Sequence, residues 1–275
     1  MKNVFTFLLL LFSLLCNGQS PKLFTTDKEL SSSLINQIYQ DRNGFIWIAT
    51  EDGLNRYDGA KFTRYKHEPN NEHSLAHNFV RTVFEDSKGH LLIGTYIGIQ
   101  MYDPATDNFT PLAKLEDTGE TLESNINSFI ERKNGEIWVS GNVLCKLDIK
   151  DHLLTVRKVD IAVTSPGSLF EDKKQNVWMA KGEEGVYQLT PDNQLTLHLS
   201  KDNGYVKSIC EDQRGNIYVG SIRKGLFIYD KERKTFVPVD LKEKGELPVC
   251  FLYSGPQNEL YIGTDGKGMS VYNNQ

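Results

Sequence analysis

The sequence predicts an all-β fold, a β-propeller of six four-stranded blades, and three observations carry that expectation. One short phrase recurs six times, as QDRNGFIWIAT, EDSKGHLLIGT, ERKNGEIWVSG, EDKKQNVWMAK, EDQRGNIYVGS and GPQNELYIGT. A glycine or its stand-in anchors each copy, at Gly44, Gly89, Gly135, Gln175, Gly215 and Asn258, with spacings of 45, 46, 40, 40 and 43 residues. Bulky apolar side chains recur at fixed offsets. Three residues after the anchors stand Trp47, Leu92, Trp138, Trp178, Tyr218 and Tyr261; five residues before them stand Tyr39, Phe84, Ile130, Phe170, Cys210 and Tyr253. A period of about 40–50 residues with this strand character marks a propeller or a similar array.

The first copy shows the unit. Leu34 to Tyr39 reads as a short apolar strand, and Asp41-Arg42-Asn43-Gly44 as a turn ending in the Asn-Gly dipeptide that hairpins favour. Phe45 to Ala49 is almost wholly apolar and reads as a strand buried on both faces. A turn at Thr50 to Gly53 leads to an alternating strand, Leu54 to Tyr57; Asp58-Gly59 turns again into Lys61 to Tyr65. Polarity rises from the first strand to the last, as expected of a blade whose inner strands lie between neighbours and whose outer edge meets water. No segment holds a helical period over the length a helix needs. A blade cannot bury both faces alone, so the aromatic column at Trp47, Trp138 and Trp178 reads as blade-to-blade packing. Each such ring buries about 150–250 Å², an upper bound of about 4–6 kcal/mol before entropy.

The two ends complement each other. The sixth copy supplies three strands, Pro248 to Tyr253, Glu259 to Thr264 and Gly268 to Tyr272, while Leu23 to Thr26 precedes the first copy as a spare strand. Placing Leu23 to Thr26 outside the blade of Tyr261 closes the ring and removes an exposed edge. The alternative is an incomplete seven-bladed propeller, open where a further blade belongs.

The N-terminus is a separate object. Met1-Lys2-Asn3 is a short positive region, and Val4 to Leu15 is an apolar run of twelve residues, too short to span a bilayer. Cys16 and Gly18 supply small residues for cleavage before Gln19. Residues 1–18 therefore read as a secretory signal peptide and residues 19–275 as one propeller domain, with a lipoprotein anchored at Cys16 as the alternative. The mature chain shows no second apolar run of membrane-spanning length, and export through the signal peptide is expected to deliver it to the periplasm. The 31 Lys and Arg and 36 Asp and Glu are interspersed, for a net charge of −5. The absence of a basic stripe argues against nucleic acid and against an anionic membrane surface as partners. Cys145, Cys210 and Cys250 fall inside apolar strand patterns and read as small buried hydrophobes, one disulfide among them being the alternative.

The run of a strand, then D-x-x-G-x-[IL]-W-[IV]-[GA]-T, then G-[LI]-x-x-Y-[DN] resembles the two-component regulator propeller repeat. IYQDRNGFIWIATEDGLNRYDGAKFTRY and VFEDSKGHLLIGTYIGIQMYDPATDNFTPL carry the likeness most strongly, and Asn71 to Val80 fits the family's connector between blades. The later copies depart from it, with Gln175 and Asn258 in place of glycine. The resemblance implies the periplasmic sensor of a hybrid two-component regulator, with an oligosaccharide as ligand and the remaining propeller and kinase parts of a receptor as partners. The receptors it resembles carry many more repeats, usually two seven-bladed propellers, followed by a membrane helix and a kinase. The chain corresponds to roughly the first propeller, one blade short, and kinase activity does not carry over.

Catalytic signatures are scarce. There is no Gly-x-Ser-x-Gly, His-Glu-x-x-His, Cys-x-x-Cys or phosphate-cradling loop, so neither cofactor nor metal is expected. The six histidines are scattered, and His73 and His77 stand four apart in a loop rather than on a helix. Asp41, Asp86, Asp172 and Asp212 recur just before the anchors, which fits turn side-chain hydrogen bonding. The turns between second and third strands, together with the connectors, should emerge on one face. Tyr96, Asn142, Arg223 and Asp265 on that mixed polar and aromatic face are the candidate ligand-binding residues. The expected function is a non-enzymatic sensing or binding propeller. A propeller lyase or glycan-active enzyme, and a protein-interaction scaffold, are the alternatives.

Overall fold

The computed structural model describes residues 23–26, 28–199, 204–241 and 247–273; the signal-peptide reading of residues 1–18 lies outside them. Six small antiparallel sheets form a six-bladed β-propeller. Blade one comprises β1 (Ile35–Gln40), β2 (Ile46–Thr50), β3 (Gly53–Tyr57) and β4 (Phe62–Tyr65); blade two β5 (Val80–Glu85), β6 (Leu91–Thr95), β7 (Ile99–Asp103) and β8 (Asn108–Phe109). Blade three adds the short β9 (Lys114–Leu115), parallel to the outer strand, to β10 (Ser128–Glu131), β11 (Ile137–Ser140), β12 (Leu144–Lys150) and β13 (Leu153–Lys158). Blade four is β14 (Leu169–Glu171), β15 (Val177–Lys181), β16 (Gly185–Leu189) and β17 (Leu195–Leu199). Blade five is β18 (Val206–Glu211), β19 (Ile217–Ser221), β20 (Gly225–Asp230) and β21 (Thr235–Pro238). Blade six has three strands, β22 (Val249–Ser254), β23 (Glu259–Thr264) and β24 (Met269–Asn273).

The hydrophobic cores lie between blades rather than within them. Trp47, Ala49 and Leu54 of blade one meet Val83, Leu91 and Ile93 of blade two. Leu92 and Met101 meet Phe129, Ile137 and Leu147, Trp138 meets Leu169, Val177 and Leu189, Trp178 meets Ile209, Ile217 and Phe227, and Tyr218 meets Leu252 and Leu260. The repeated position three residues past the anchor is 0, 0, 3, 1 and 1% exposed in blades one to five. Burying a large ring there joins two sheets that are each too thin to form a core alone.

Two sequence expectations are corrected. Residues 23–26 form no strand and do not pair with the blade of Tyr261. Phe24 instead packs on Tyr57 and Phe62 of blade one, at 5.2 and 5.0 Å between ring centroids. Leu30 is buried, Ser31 N donates to Asn55 Oδ1 at 2.9 Å, and Arg64 donates to the carbonyls of Lys28 and Glu29. Tyr57, Phe62, Asn55 and Arg64 all lie on the face turned away from blade two. The physical reason is the apolar pair Tyr57 and Phe62, which is nearer in sequence to Phe24 than blade six and costs less loop entropy to reach. The other correction concerns β1, read as a buried apolar strand: Ile35 is 43% and Ile38 61% exposed, because no blade packs over them. Among the described residues, no hydrophobic cluster joins blade six to blade one.

The three described cysteines are free thiols, two of them buried. Burial pushes Cys145 up to about 11 and Cys210 up to about 12, so neither is a thiolate at neutral pH.

Candidate functional site

The turn between second and third strands and the connector into the next blade meet on one face. Gly53 N donates to Asn78 O at 2.6 Å, Tyr96 N to Phe79 O at 3.0 Å, Ser165 N to Asn142 O at 2.9 Å and Val206 N to Gly182 O at 2.9 Å. These backbone bonds make the loop face a rigid rim rather than a set of free tips.

Tyr96, Asn142, Arg223 and Asp265 occupy this same turn in blades two, three, five and six. Tyr96 is 54% exposed, its ring 5.5 Å from His77 and 6.1 Å from Phe79. Asn142 N donates to Ser124 Oγ at 2.9 Å, and the residue borders a cleft of about 660 Å³ with Leu115, Glu123 and Lys158. Arg223 borders a second cleft, of about 510 Å³, between blades four and five. Asp265 is exposed, its N–H donating to Pro248 O at 2.9 Å. Ser165 links the middle two: it bonds the Asn142 carbonyl and lines the cleft of Arg223. Tyr96 and Asp265 line neither cleft.

The second cleft contains the best-furnished surface. Tyr205 is 44% exposed and lies against Gly182, where an added Cβ would come 2.9 Å from the ring. Gly182 also has φ +45°, so a side chain there is disfavoured twice. Arg223 pairs with Glu183 at 3.0 Å, and Lys181 with Glu184 at 2.8 Å. The cleft thus joins an aromatic face to two charge-balanced ion pairs offering both donors and acceptors. Of the residues lining this cleft, Arg223 was singled out from the sequence, while Tyr205, Lys181 and Ser165 were missed. The available signal was register: Tyr205-Val206 repeats Phe79-Val80, and both aromatics precede the first strand of their blade.

The recurrent aspartates are turn anchors. Asp41 Oδ1 accepts from the N–H groups of Asn43 and Phe45, each at 2.9 Å, and Oδ2 from Trp47 Nε1 at 2.8 Å. Asp172 does the same for Lys174, Asn176 and Trp178. Where the indole is absent, the residue after the anchor supplies the missing donor, His90 Nδ1 to Asp86 at 2.7 Å and Asn216 Nδ2 to Asp212 at 2.8 Å. Among the described residues no group of three or more His, Cys, Asp or Glu could hold a metal, and no helix is long and apolar enough to cross a membrane.

Residues 29–52, 74–96 and 200–223 match the two-component regulator propeller family. A histidine kinase of Formosa agariphila is 36% identical over 83 residues, a stretch that is 28% of this chain and 6% of the kinase. The chain therefore spans a small fraction of that curated relative. Among solved structures, the extracellular domain of a protein assigned as a hybrid two-component system of B. thetaiotaomicron superposes with TM-score 0.59 at 19% identity, covering 92% of this chain and 42% of that one. Virginiamycin B lyase of Staphylococcus aureus, crystallised with quinupristin, superposes with TM-score 0.66 at 13% identity, covering 94% and 88%. At these identities the structural likenesses establish the fold, and sensor domains and a lyase share it.

Proposed function

We propose that this chain, built from two-component regulator propeller repeats, is the ligand-sensing propeller of a two-component regulatory system, working in the periplasm and without catalysis of its own. The observation that carries this reading is the regulator-type repeat at three places along the chain, joined to the match with a histidine kinase. The N-terminal apolar run supports export. In this reading the ligand is an oligosaccharide held across the loop face, and the kinase parts of a receptor are the partners.

The cleft of Tyr205 and Arg223 suits a sugar on chemical grounds. A pyranose offers an apolar C–H face and a rim of hydroxyls that both donate and accept. The exposed Tyr205 ring takes the first, and the Arg223–Glu183 and Lys181–Glu184 pairs take the second. Each such contact is worth about 1–2 kcal/mol after desolvation, so micromolar to millimolar binding is expected of the isolated propeller. Calorimetry of the secreted chain against a panel of plant and host glycan oligosaccharides, with turnover assays on the same panel, tests the proposal. Binding without turnover, weakened about tenfold by Tyr205→Ala or Arg223→Ala, is the expected result. Turnover abolished by substituting one His or acidic residue on the loop face would replace it with the lyase reading.

A further inference from the structure

We infer that the loop-face mouth of the central channel binds the carboxylate of a small organic ligand, between Arg81 of blade two and Lys207 of blade five. The inference does not depend on the sugar reading of the cleft beside Tyr205.

The first strand of each blade lines the channel. The residue eight before the anchor marks one level of its wall: Asn36, Arg81, Asn127, Gly167, Lys207 and Cys250. In blades one, two, five and six the strand pairing skips this residue. Val80 pairs with Thr95 and Thr82 with Gly94; Val206 pairs with Ser221 and Ser208 with Gly220. Such a bulge re-aims the extra side chain. The neighbours Val80, Thr82, Val206 and Ser208 are packed between blades, at most 8% exposed, while Arg81 is half-buried and Lys207 exposed. The bulged side chain therefore leaves the blade interface for the channel.

The other polar side chains at this level are engaged in the wall itself. Asn36 Nδ2 donates to Val80 O at 2.8 Å and Asn127 Nδ2 to Pro166 O at 3.0 Å; beside Gly167, Ser168 Oγ donates to Lys207 O at 2.6 Å. The Cys250 thiol faces Pro248 O at 3.8 Å. Among the described residues, the side chains of Arg81 and Lys207 have no hydrogen bond or ion pair. No Asp or Glu stands at this position, or one residue to either side of it, in any copy. Glu85, Glu131, Glu171 and Glu211 lie four residues further along their strands, about 13 Å away, bonded to the turns of the preceding blades. Two cations on opposite sides of one channel, with no acid at their level, attract an anion, and a carboxylate matches the guanidinium fork. Phe79 and Tyr205 each stand two residues before a cation, and Tyr205 is 44% exposed, offering an apolar surface to the body of the ligand. Glu51 and Asp265 are exposed on the same rim, so a polyanion is repelled where a single carboxylate is not.

The test is calorimetry of the intact chain with two carboxylates, galacturonate and benzoate, each beside its uncharged counterpart, galactose and benzamide. Arg81→Gln and Lys207→Gln are compared with Lys174→Gln, an exposed lysine on the opposite face. The expected result is that at least one carboxylate binds tenfold or more tightly than its counterpart, and loses about tenfold in each channel variant and nothing in Lys174→Gln. Binding of galacturonate alone places the carboxylate on a sugar, and binding of benzoate alone places it on a free organic acid. Should Arg81→Gln lower the melting temperature, Lys207→Gln, at an exposed position, decides. Carboxylates that bind no better than their counterparts overturn the inference. An equal loss in Lys174→Gln overturns it too, as an effect of net charge. Binding of a neutral oligosaccharide at the Tyr205 cleft should be unchanged in both channel variants, so the two readings fail separately.

Discussion

At the scale of single residues, the anchor position is defined by backbone conformation. Gly44, Gly89, Gly135 and Gly215 have φ between +81° and +96°, and Gln175 and Asn258 adopt +67° and +68° in the same place. Glycine is favoured because the left-handed region is free of penalty only without a Cβ. Copy three shows how the polar part of the unit is rebuilt when a residue is exchanged. Arg132 replaces the aspartate, so Trp138 Nε1 donates to Glu136 Oε2 at 3.0 Å, and Arg132 stacks 4.6 Å from the indole. The hydrogen bond from Lys146 first, then those from Trp138 and Asn134, hold the Glu136 carboxyl well down from 4.5, at about 2. Ionised Glu136 therefore stabilises the fold above about pH 4.5, and that contribution disappears as pH falls through about 2. The side chain is 34% exposed, so solvent screening reduces the effect to about 1 kcal/mol. Glu136→Gln should be less stable than the parent by that amount at neutral pH, and the two urea midpoints should converge near pH 2. Parallel curves across that range would remove the charge from the account.

At the scale of elements, neighbouring blades are stitched by a glutamate that ends the first strand. Glu85 accepts from Arg42 N at 2.8 Å, Glu131 from Ser87 N at 2.6 Å, Glu171 from Lys133 N at 2.7 Å and Glu211 from Lys173 N at 3.1 Å. Each donor belongs to the turn of the preceding blade. Copy six has Ser254 at this position, its hydroxyl buried without a partner, and copy one has Gln40. The stitches therefore run from blade one to blade five and stop. Glu171 also accepts from Arg132 Nε at 2.9 Å, as Glu85 does from Arg42 Nε at 2.6 Å, and Arg132 is the more buried of the two guanidinium groups, 13% exposed against 47%. Glu171→Ala leaves the Lys133 N–H and a largely buried guanidinium without this acceptor, and should cost about 2–4 kcal/mol by urea unfolding. A loss below about 0.5 kcal/mol would show that water replaces the carboxylate at no cost. The blades, their order and the aromatic column were legible in the sequence because each repeats at a fixed offset. The glutamate also recurs, but its partner stands some 40 residues away in another copy, so sequence gives no reason to single it out. Leu23 to Thr26 misled for the opposite reason: its pattern suits a strand, while its position is decided by Tyr57 and Phe62. In the candidate site, Arg223 was found by its turn, whereas Tyr205 belongs to a connector whose place opposite Gly182 only the folded ring defines.

For the molecule as a whole, five cores between six blades make stability a sum of nearest-neighbour terms rather than one central mass. Blades two to five are packed on both sides; among the described residues blade six shares a hydrophobic core with blade five alone, and β24 alternates exposed and half-buried positions. Blade one is packed against blade two and, over its outer strands, by Phe24 and Leu30. Opening an end blade breaks one interface, whereas opening an interior blade breaks two, so local unfolding should start at blade six. Native-state hydrogen exchange should therefore rank β22 to β24 fastest, blade one next and blades two to four slowest. Phe24→Ser removes the ring that covers Tyr57 and Phe62 and should bring blade one close to the exchange rate of blade six, leaving blades three and four unchanged. Uniform acceleration of all six blades would mean instead that the ring unfolds as one cooperative unit, with the seam between blade six and blade one closed in solution.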